Sequence, residues 1–540
     1  ARGMTSRAVP PPLEHRLVFV SFNLSADAHV VEFRSIVERA ADHGYNGIVF
    51  DGSFDRIDLR DTAYFERLKT VKSICDRYDM ELIPLVFSAG YAGATLAHDR
   101  NLAAGLPVMD VPFSVGPRTA RLEGDPKTEL VNGDFSRYAG DKVSGFDLQE
   151  KPGVVTVVDT KVSHDGPPSL RFENFNTSRD GKARLMQKVD VRPFRCYRLT
   201  LWVKTEDLEP ADRFQVQVIA PGGRVLMMWS PRLERSQDWN DVTVAFNTLD
   251  YDRVSIWLGV WRGIGGRFWV DDVQLGEIGV MNALRRPGTP ITVRNRDTGA
   301  RYDEGADFEF SSAGPVSYEP DSPELILEVV PSGGIHPGDR LAVDYYQGLA
   351  MKRPRGQTSV CLSEPETYGV WRDIARLVHE YLDPDYYFLS MDEIRQGGWC
   401  AACEARGLEA SELIGRGIAR QVEIIRGVSR DAQIFVWSDM LDPNQNARAD
   451  FYLFKGDIYG SWEYIPKDLI IACWKSDICD KSLTISTDWA SEPSDARTTI
   501  PATSITPSVG WKRSEQPVAD VGSCTRRGEG TMIFWSRLAI

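Results

Sequence analysis

The most constraining feature of the sequence is a strand–helix rhythm that starts, stops and resumes. Leu17-Val18-Phe19-Val20-Ser21-Phe22 reads as a buried strand. Residues 30–43 place apolar side chains at helical spacing and close at Gly44. Gly47-Ile48-Val49-Phe50-Asp51-Gly52 is a second apolar strand, followed by a helix over about 62–79 and a strand at 81–87. Apolar strands alternating with helices predict a parallel sheet covered on both faces. From about 110 to 280 the period becomes short alternating strands with Gly and Pro turns, at 169–172, 197–204, 214–219, 242–246, 254–260 and 267–273, which predicts a β-sandwich. The rhythm returns with an amphipathic helix at 366–381, a strand at 386–391, a helix at 410–428, and strands at 434–437 and 469–474. The expected fold class is therefore α/β: a (β/α)8 TIM-like barrel, whole or incomplete at its C-terminal end, interrupted by an all-β sandwich. The expected divisions are 15–110 for the first part of the barrel, 117–280 for the sandwich, 285–345 for a small β-rich unit, and 346–540 for the rest of the barrel.

A chain of 540 residues is too long for one ordinary domain. Its net charge of −14, from 63 basic and 77 acidic residues with no basic block, argues against a nucleic-acid partner. No apolar run reaches about 18 residues, so no membrane span is expected. The lead-in ARGMTSRAVPPP is rich in Pro and has no apolar signal-type run; a secreted or periplasmic location is slightly favoured. Cys400 and Cys403 form a single C-x-x-C. A four-ligand zinc site would need two further ligands from afar, and none is expected there.

In (β/α) barrels the chemistry sits at the carboxyl ends of the strands. Those ends carry Asp51, then Tyr91 with His98 shortly after, then the pair Asp392-Glu393, then Trp437 with Asp439, and finally Glu463 and Trp474. Acids and Trp without a Gly-rich loop or an Arg cluster suit a neutral saccharide rather than a phosphate. Glycosidic cleavage needs an acid to protonate the leaving oxygen and a second group to stabilise positive charge at the anomeric carbon. Adjacent carboxyls raise each other's proton affinity, which helps keep one of them protonated near neutral pH. Asp392-Glu393 is thus the candidate catalytic pair, with Asp51, Tyr91, His98, Trp437, Asp439, Glu463 and Trp474 as candidate substrate-binding residues. The same pair is equally readable as a solvated loop opening.

The segment Tyr387-Phe388-Leu389-Ser390-Met391-Asp392-Glu393-Ile394 resembles the strand-four signature of family 20 glycoside hydrolases, the β-N-acetylhexosaminidases. Cys361-Leu362-Ser363-Glu364-Pro365-Glu366-Thr367-Tyr368, Val436-Trp437-Ser438-Asp439 and Pro466-Lys467-Asp468-Leu469-Ile470-Ile471 with Trp474 are similar to neighbouring segments of that family. The resemblance implies an exo-acting hydrolase. Glu393 would be its general acid/base, Asp392 would orient the substrate's acetamido group, and Trp437 and Trp474 would wall the pocket. The chain departs from the pattern in having Ser390-Met391 before the acids and no Arg at the end of strand one. The insert resembles family 4/9-type carbohydrate-binding modules through Asn132-Gly133-Asp134-Phe135, the run at 197–205, and Phe268-Trp269-Val270-Asp271-Asp272-Val273. That resemblance implies a structural calcium held by Asp134 and Asp271, with Trp229, Trp257 and Trp261 stacking on an oligosaccharide or polysaccharide. No cofactor is implied for catalysis.

After Lys481 the pattern loses its rhythm and becomes rich in Ser, Thr, Pro and Arg. Codons compatible with 486–500 and 510–533, read one base earlier, spell segments with more helical pattern and aromatic strand ends, so a shifted frame is one reading. The alternatives to the hexosaminidase-like enzyme are a carbohydrate-binding protein with impaired catalysis, and a glycosidase of other specificity using Glu393 with Glu463 or Asp439 as nucleophile.

Overall fold

The computed structural model describes residues 15–125, 128–311, 314–351, 356–475, 478 and 481–482, and the backbone of 502–504. Its organising element is a parallel sheet whose strands lie side by side in chain order. The strands are β1 (Leu17–Ser21), β2 (Gly47–Asp51), β3 (Glu81–Val86), β4 (Tyr386–Leu389), β5 (Gln433–Trp437), β6 (Ile470–Cys473) and β7 (Ala502–Ser504). Although some 300 residues separate β3 from β4 in sequence, they are direct neighbours, with Phe388 opposite Leu85 and Leu389 opposite Val86. The insert therefore leaves and re-enters between two adjacent strands without disturbing their order.

Side chains alternate between the two faces of a strand. Val18, Val20, Ile48, Phe50, Tyr387, Leu389, Ile434 and Val436 pack in one core with helices α1 (Asp27–Asp42), α2 (Thr62–Arg77), α3 (Pro365–Leu382) and α4 (Ala410–Val428). The intervening residues Leu17, Val49, Ile83, Phe388, Phe435 and Ile470 form a second, smaller core, with Trp437 and Trp474 packed against it. None of the four helices contributes to that second core. The expectation of helices on both faces is thus corrected: apolar strand runs are also what a barrel interior requires. The sheet is the half-barrel that the strand order implies, and β7 and β1 are not paired among the described residues. The tail expected to supply further barrel units, and the proposed frame change, lie outside the described residues apart from the backbone of β7.

The sandwich forms from two five-stranded sheets within the insert. One is built around the long strands Cys196–Glu209 and Gly265–Ile278, and the other around Ala183–Asp190 and Arg253–Val260. The 285–345 segment does not stand by itself. Its strand Arg340–Gln347 pairs antiparallel with Leu106–Val115, so one seven-stranded sheet draws on both flanks of the sandwich. Arg224 of the sandwich, itself buried, bonds the loop that follows β5 through Asp450 (2.9 Å) and the carbonyls of Tyr452 (2.5 Å) and Phe454 (2.8 Å). No helix among the described residues is long and apolar enough to cross a membrane.

Candidate active site

The carboxyl ends of β4 and β5 bring three acids together. After Leu389 the chain leaves strand geometry, and Glu393 adopts a left-handed backbone with φ +48°. That conformation is costly for a residue with a side chain and needs support. Here the Glu393 N–H donates to Asp439 Oδ2 at 2.9 Å, and its carbonyl accepts from Gln357 Nε2 at 2.8 Å. Gly90, from the β3 loop, lies against the same turn: a Cβ there would sit 2.0 Å from the Asp392 carbonyl oxygen. Only glycine permits this approach without displacing one of the two loops.

The Glu393 carboxylate pairs with Arg395 at 2.7 Å and accepts from the Tyr91 hydroxyl. The Arg395 guanidinium is buried, lies 4.7 Å from the centre of the Tyr452 ring, and bonds Gln357. Tyr452 belongs to the loop that Arg224 grips, so the sandwich reaches the acid turn through one intermediate ring. Asp392 accepts from Ser390 Oγ at 3.0 Å. Burial, and then the Glu393 charge, push its carboxyl up to about 6. Asp439 is wholly buried and accepts from Asn446 Nδ2 at 2.6 Å. Burial, followed by the Asp392 charge, pushes it up to about 7. The Trp474 indole lowers it slightly but stops short of a formed bond, because Asp439 Oδ1 and Trp474 Nε1 both lack a hydrogen-bond partner among the described residues. An unbonded carboxyl oxygen of high proton affinity is a place for a proton to reside. Trp437, at the end of β5, is half-buried with its ring 4.6 Å from Phe388.

The other expected residues fall into two groups. Tyr91 joins the cluster through Glu393, and its hydroxyl is pushed well up by burial and by that charge. Asp51 sits at the matching end of β2, two strands from β4, and accepts from Ser21 Oγ at 2.8 Å without contacting the three acids. His98 instead pairs with Asp58 at 2.9 Å and with the Thr95 carbonyl. Glu463 is corrected as a pocket residue. It is exposed on the short helix Ser461–Tyr464, which packs against α4 in the helix layer at Gly415. Glu463 thus sits on a short helical turn and not at the strand end where it was expected.

Sequence reasoning missed Arg395, Gln357, Asn446, Tyr452 and Asp55. Asp55 is buried beneath the β3 loop, where it accepts from the N–H groups of Phe87 and Ser88 at 2.6 Å each, and burial pushes it up to about 6. Arg395, two residues past the acid pair, was visible as a local signal. Asn446 lies seven residues past Asp439, and Gln357, Tyr452 and Asp55 lie far from the acid pair in sequence.

In the sandwich, Asp134 is exposed. Asp271 is buried, and its two oxygens accept the N–H groups of His164 and Asp272. Among the described residues the two do not join a group of three acidic, Cys or His side chains with ligand atoms in mutual reach. Trp229 is core, whereas Trp257 and Trp261 are partly exposed, with Arg184 stacked 5.2 and 5.9 Å from their rings.

No family model matches the chain, and no curated protein matches it. Solved structures offer partial likenesses. One described as "CBM4 structure and function" is 15% identical, covering 28% of this chain and 99% of its own at a TM-score of 0.21. A family 16 carbohydrate-binding module is 21% identical over 23% of this chain and 86% of its own, with a TM-score of 0.18. A rhamnosidase from Novosphingobium sp. PP1Y is 11% identical over 89% of this chain at a TM-score of 0.27, and this chain covers 51% of that one. These neighbours are carbohydrate-binding modules and a glycosidase. At such identities and TM-scores they carry no argument about activity.

Proposed function

We propose that the protein is a glycoside hydrolase whose site is built on Asp392, Glu393 and Asp439. The observation that carries this reading is the convergence of three carboxyl groups at two adjacent strand ends, Asp392 and Asp439 among them with raised proton affinity, on the face bearing Trp437 and Trp474. Such a set supplies the protonated and ionised groups that glycosidic cleavage requires. The two indoles supply flat apolar walls for a sugar ring.

Two assignments of the acids are chemically distinct. In the first, implied by the family 20 resemblance, Glu393 protonates the leaving oxygen and Asp392 orients an acetamido group. For that to occur the Glu393–Arg395 pair must open as substrate enters. In the second, Asp392 is the proton donor, sharing its proton with Asp439, while Glu393 stays ionised and stabilises the anomeric charge. The resting electrostatics support the second: Arg395 and Tyr91 favour a charged Glu393, whereas burial favours a neutral Asp392.

The test compares Glu393→Gln and Asp392→Asn on paired chromogenic glycosides, N-acetylhexosaminides included, with poor and good leaving groups. A good leaving group departs without protonation. The variant lacking the proton donor therefore keeps most of its activity on the activated substrate and loses about 10²–10⁴-fold on the poor one. Rates equal to wild type for both variants on every hydrolysed glycoside would exclude the acids from catalysis.

A further inference from the structure

Away from the acids, Cys361 meets Cys400 and Cys403 in the core between the parallel sheet and its helices. Cys361 lies in the loop before α3, while Cys400 and Cys403 follow the acid turn. Their sulfurs are 3.6 Å (361–400), 3.7 Å (361–403) and 3.5 Å (400–403) apart, and all three residues are buried. A disulfide would bring two sulfurs to about 2.05 Å, and all three thiols are free. Among the described residues this is the only group of three side chains with metal-ligand atoms mutually in reach. The triangle is nearly equilateral. Zinc bound tetrahedrally at a Zn–S distance of about 2.3 Å has sulfur–sulfur edges of about 3.8 Å, slightly longer than those observed.

Packing alone does not call for this arrangement, because thiols are weak donors and acceptors that gain little from one another. A second observation concerns charge. The Arg286 side chain is 6% exposed, with Nη2 3.7 Å from Cys400 Sγ and Nε 2.7 Å from Glu364. The guanidinium thus donates toward one of the three sulfurs and shares its charge between that sulfur and Glu364.

We propose that Cys361, Cys400 and Cys403 form a structural zinc site whose fourth position is taken by a small oxygen ligand. Three Zn–S bonds form, three S–H bonds break, the protons pass to solvent, and no group changes oxidation state. This amends the sequence-based expectation, which saw only the C-x-x-C pair. The ion ties the loop entering α3 to the segment that continues from Arg395, and so braces the acid turn from behind.

The test is elemental analysis of the full chain purified without chelator, followed by exchange into cobalt(II). About one zinc per chain is expected, with cobalt giving intense tetrahedral visible bands and a sulfur-to-cobalt charge-transfer band in the near ultraviolet. Cys361→Ser and Cys403→Ser should each reduce the metal content. If those variants do not fold, release of zinc from wild type by a thiol-specific mercurial, in step with thiol titration, replaces them. Wild type that holds no metal and takes up none from micromolar zinc overturns the proposal, as does a mass lower by two hydrogens from a disulfide among the three. None of these readouts depends on glycoside turnover, so the site stands or falls apart from the proposed activity.

Discussion

Replacing Gly90 by alanine adds one methyl group against the backbone of the acid turn. The new Cβ would lie 2.0 Å from the Asp392 carbonyl oxygen and 2.9 Å from the Glu393 carbonyl carbon and oxygen. Ordinary contact begins near 3.4 Å, so the gap is short by 3.4 − 2.0, about 1.4 Å. The obstructing atoms are main chain and cannot rotate aside, so the β3 loop and the acid turn must separate. A displacement of about 1 Å at reacting groups costs on the order of 10²-fold in rate, and overpacking costs about 1–3 kcal/mol in stability. Alanine also lowers the entropy of the unfolded chain, worth about 0.4–1 kcal/mol in the opposite direction, which leaves a net loss. The assay is kcat/KM on a glycoside that wild type hydrolyses, together with the thermal midpoint. Gly93→Ala serves as control, because nothing lies within 4 Å of its added Cβ; it should match wild type in turnover and hold or slightly raise the midpoint. A Gly90→Ala protein with wild-type turnover and an unchanged midpoint would refute the idea that this contact positions the acids.

The raised carboxyls of Asp392 and Asp439 set a pH dependence. The folded protein binds more protons than the unfolded chain between about pH 4 and about 7, so this site makes stability fall as pH rises through that window. Asp439→Asn should flatten that part of a midpoint-against-pH curve; superimposable slopes for the two proteins would contradict it. Arg224→Ala removes three bonds that hold the 450–454 loop, and with it the ring beneath Arg395. It should cost about 1–3 kcal/mol in denaturant unfolding and lower kcat more than it raises KM; a change in KM alone would detach the sandwich from the acid turn. Trp257→Ala with Trp261→Ala should weaken retention on insoluble polysaccharide while hydrolysis of small glycosides continues. Retention equal to wild type would remove these rings as a saccharide platform.

Much of the architecture is written locally. Continuous apolar runs in Leu17–Ser21, Gly47–Asp51 and Tyr386–Leu389 mark buried strands, and the helical spacing in Pro365–Leu382 and Ala410–Val428 marks their covering helices. The acids 392 and 393 are legible at a strand end because the apolar run simply stops there. The same local logic misplaced Glu463, where a short helical turn imitated a strand end. It also proposed helices on a face where the described residues come from the strands and Trp474, because apolarity reports burial and not what does the burying.

By itself the sequence determined the elements, the interruption of the strand–helix domain by a sandwich, and the adjacency of Asp392 and Glu393, since each depends on residues within a few positions of one another. Tertiary structure alone decided that Asp439 would accept the Glu393 N–H, that Gly90 would meet the Asp392 carbonyl, that Arg340–Gln347 would pair with Leu106–Val115, and that Cys361 would complete a triangle with Cys400 and Cys403. Each of these joins segments that share no local pattern. Their meeting is set by strand register and loop packing, which depend on the whole sheet rather than on any stretch of chain.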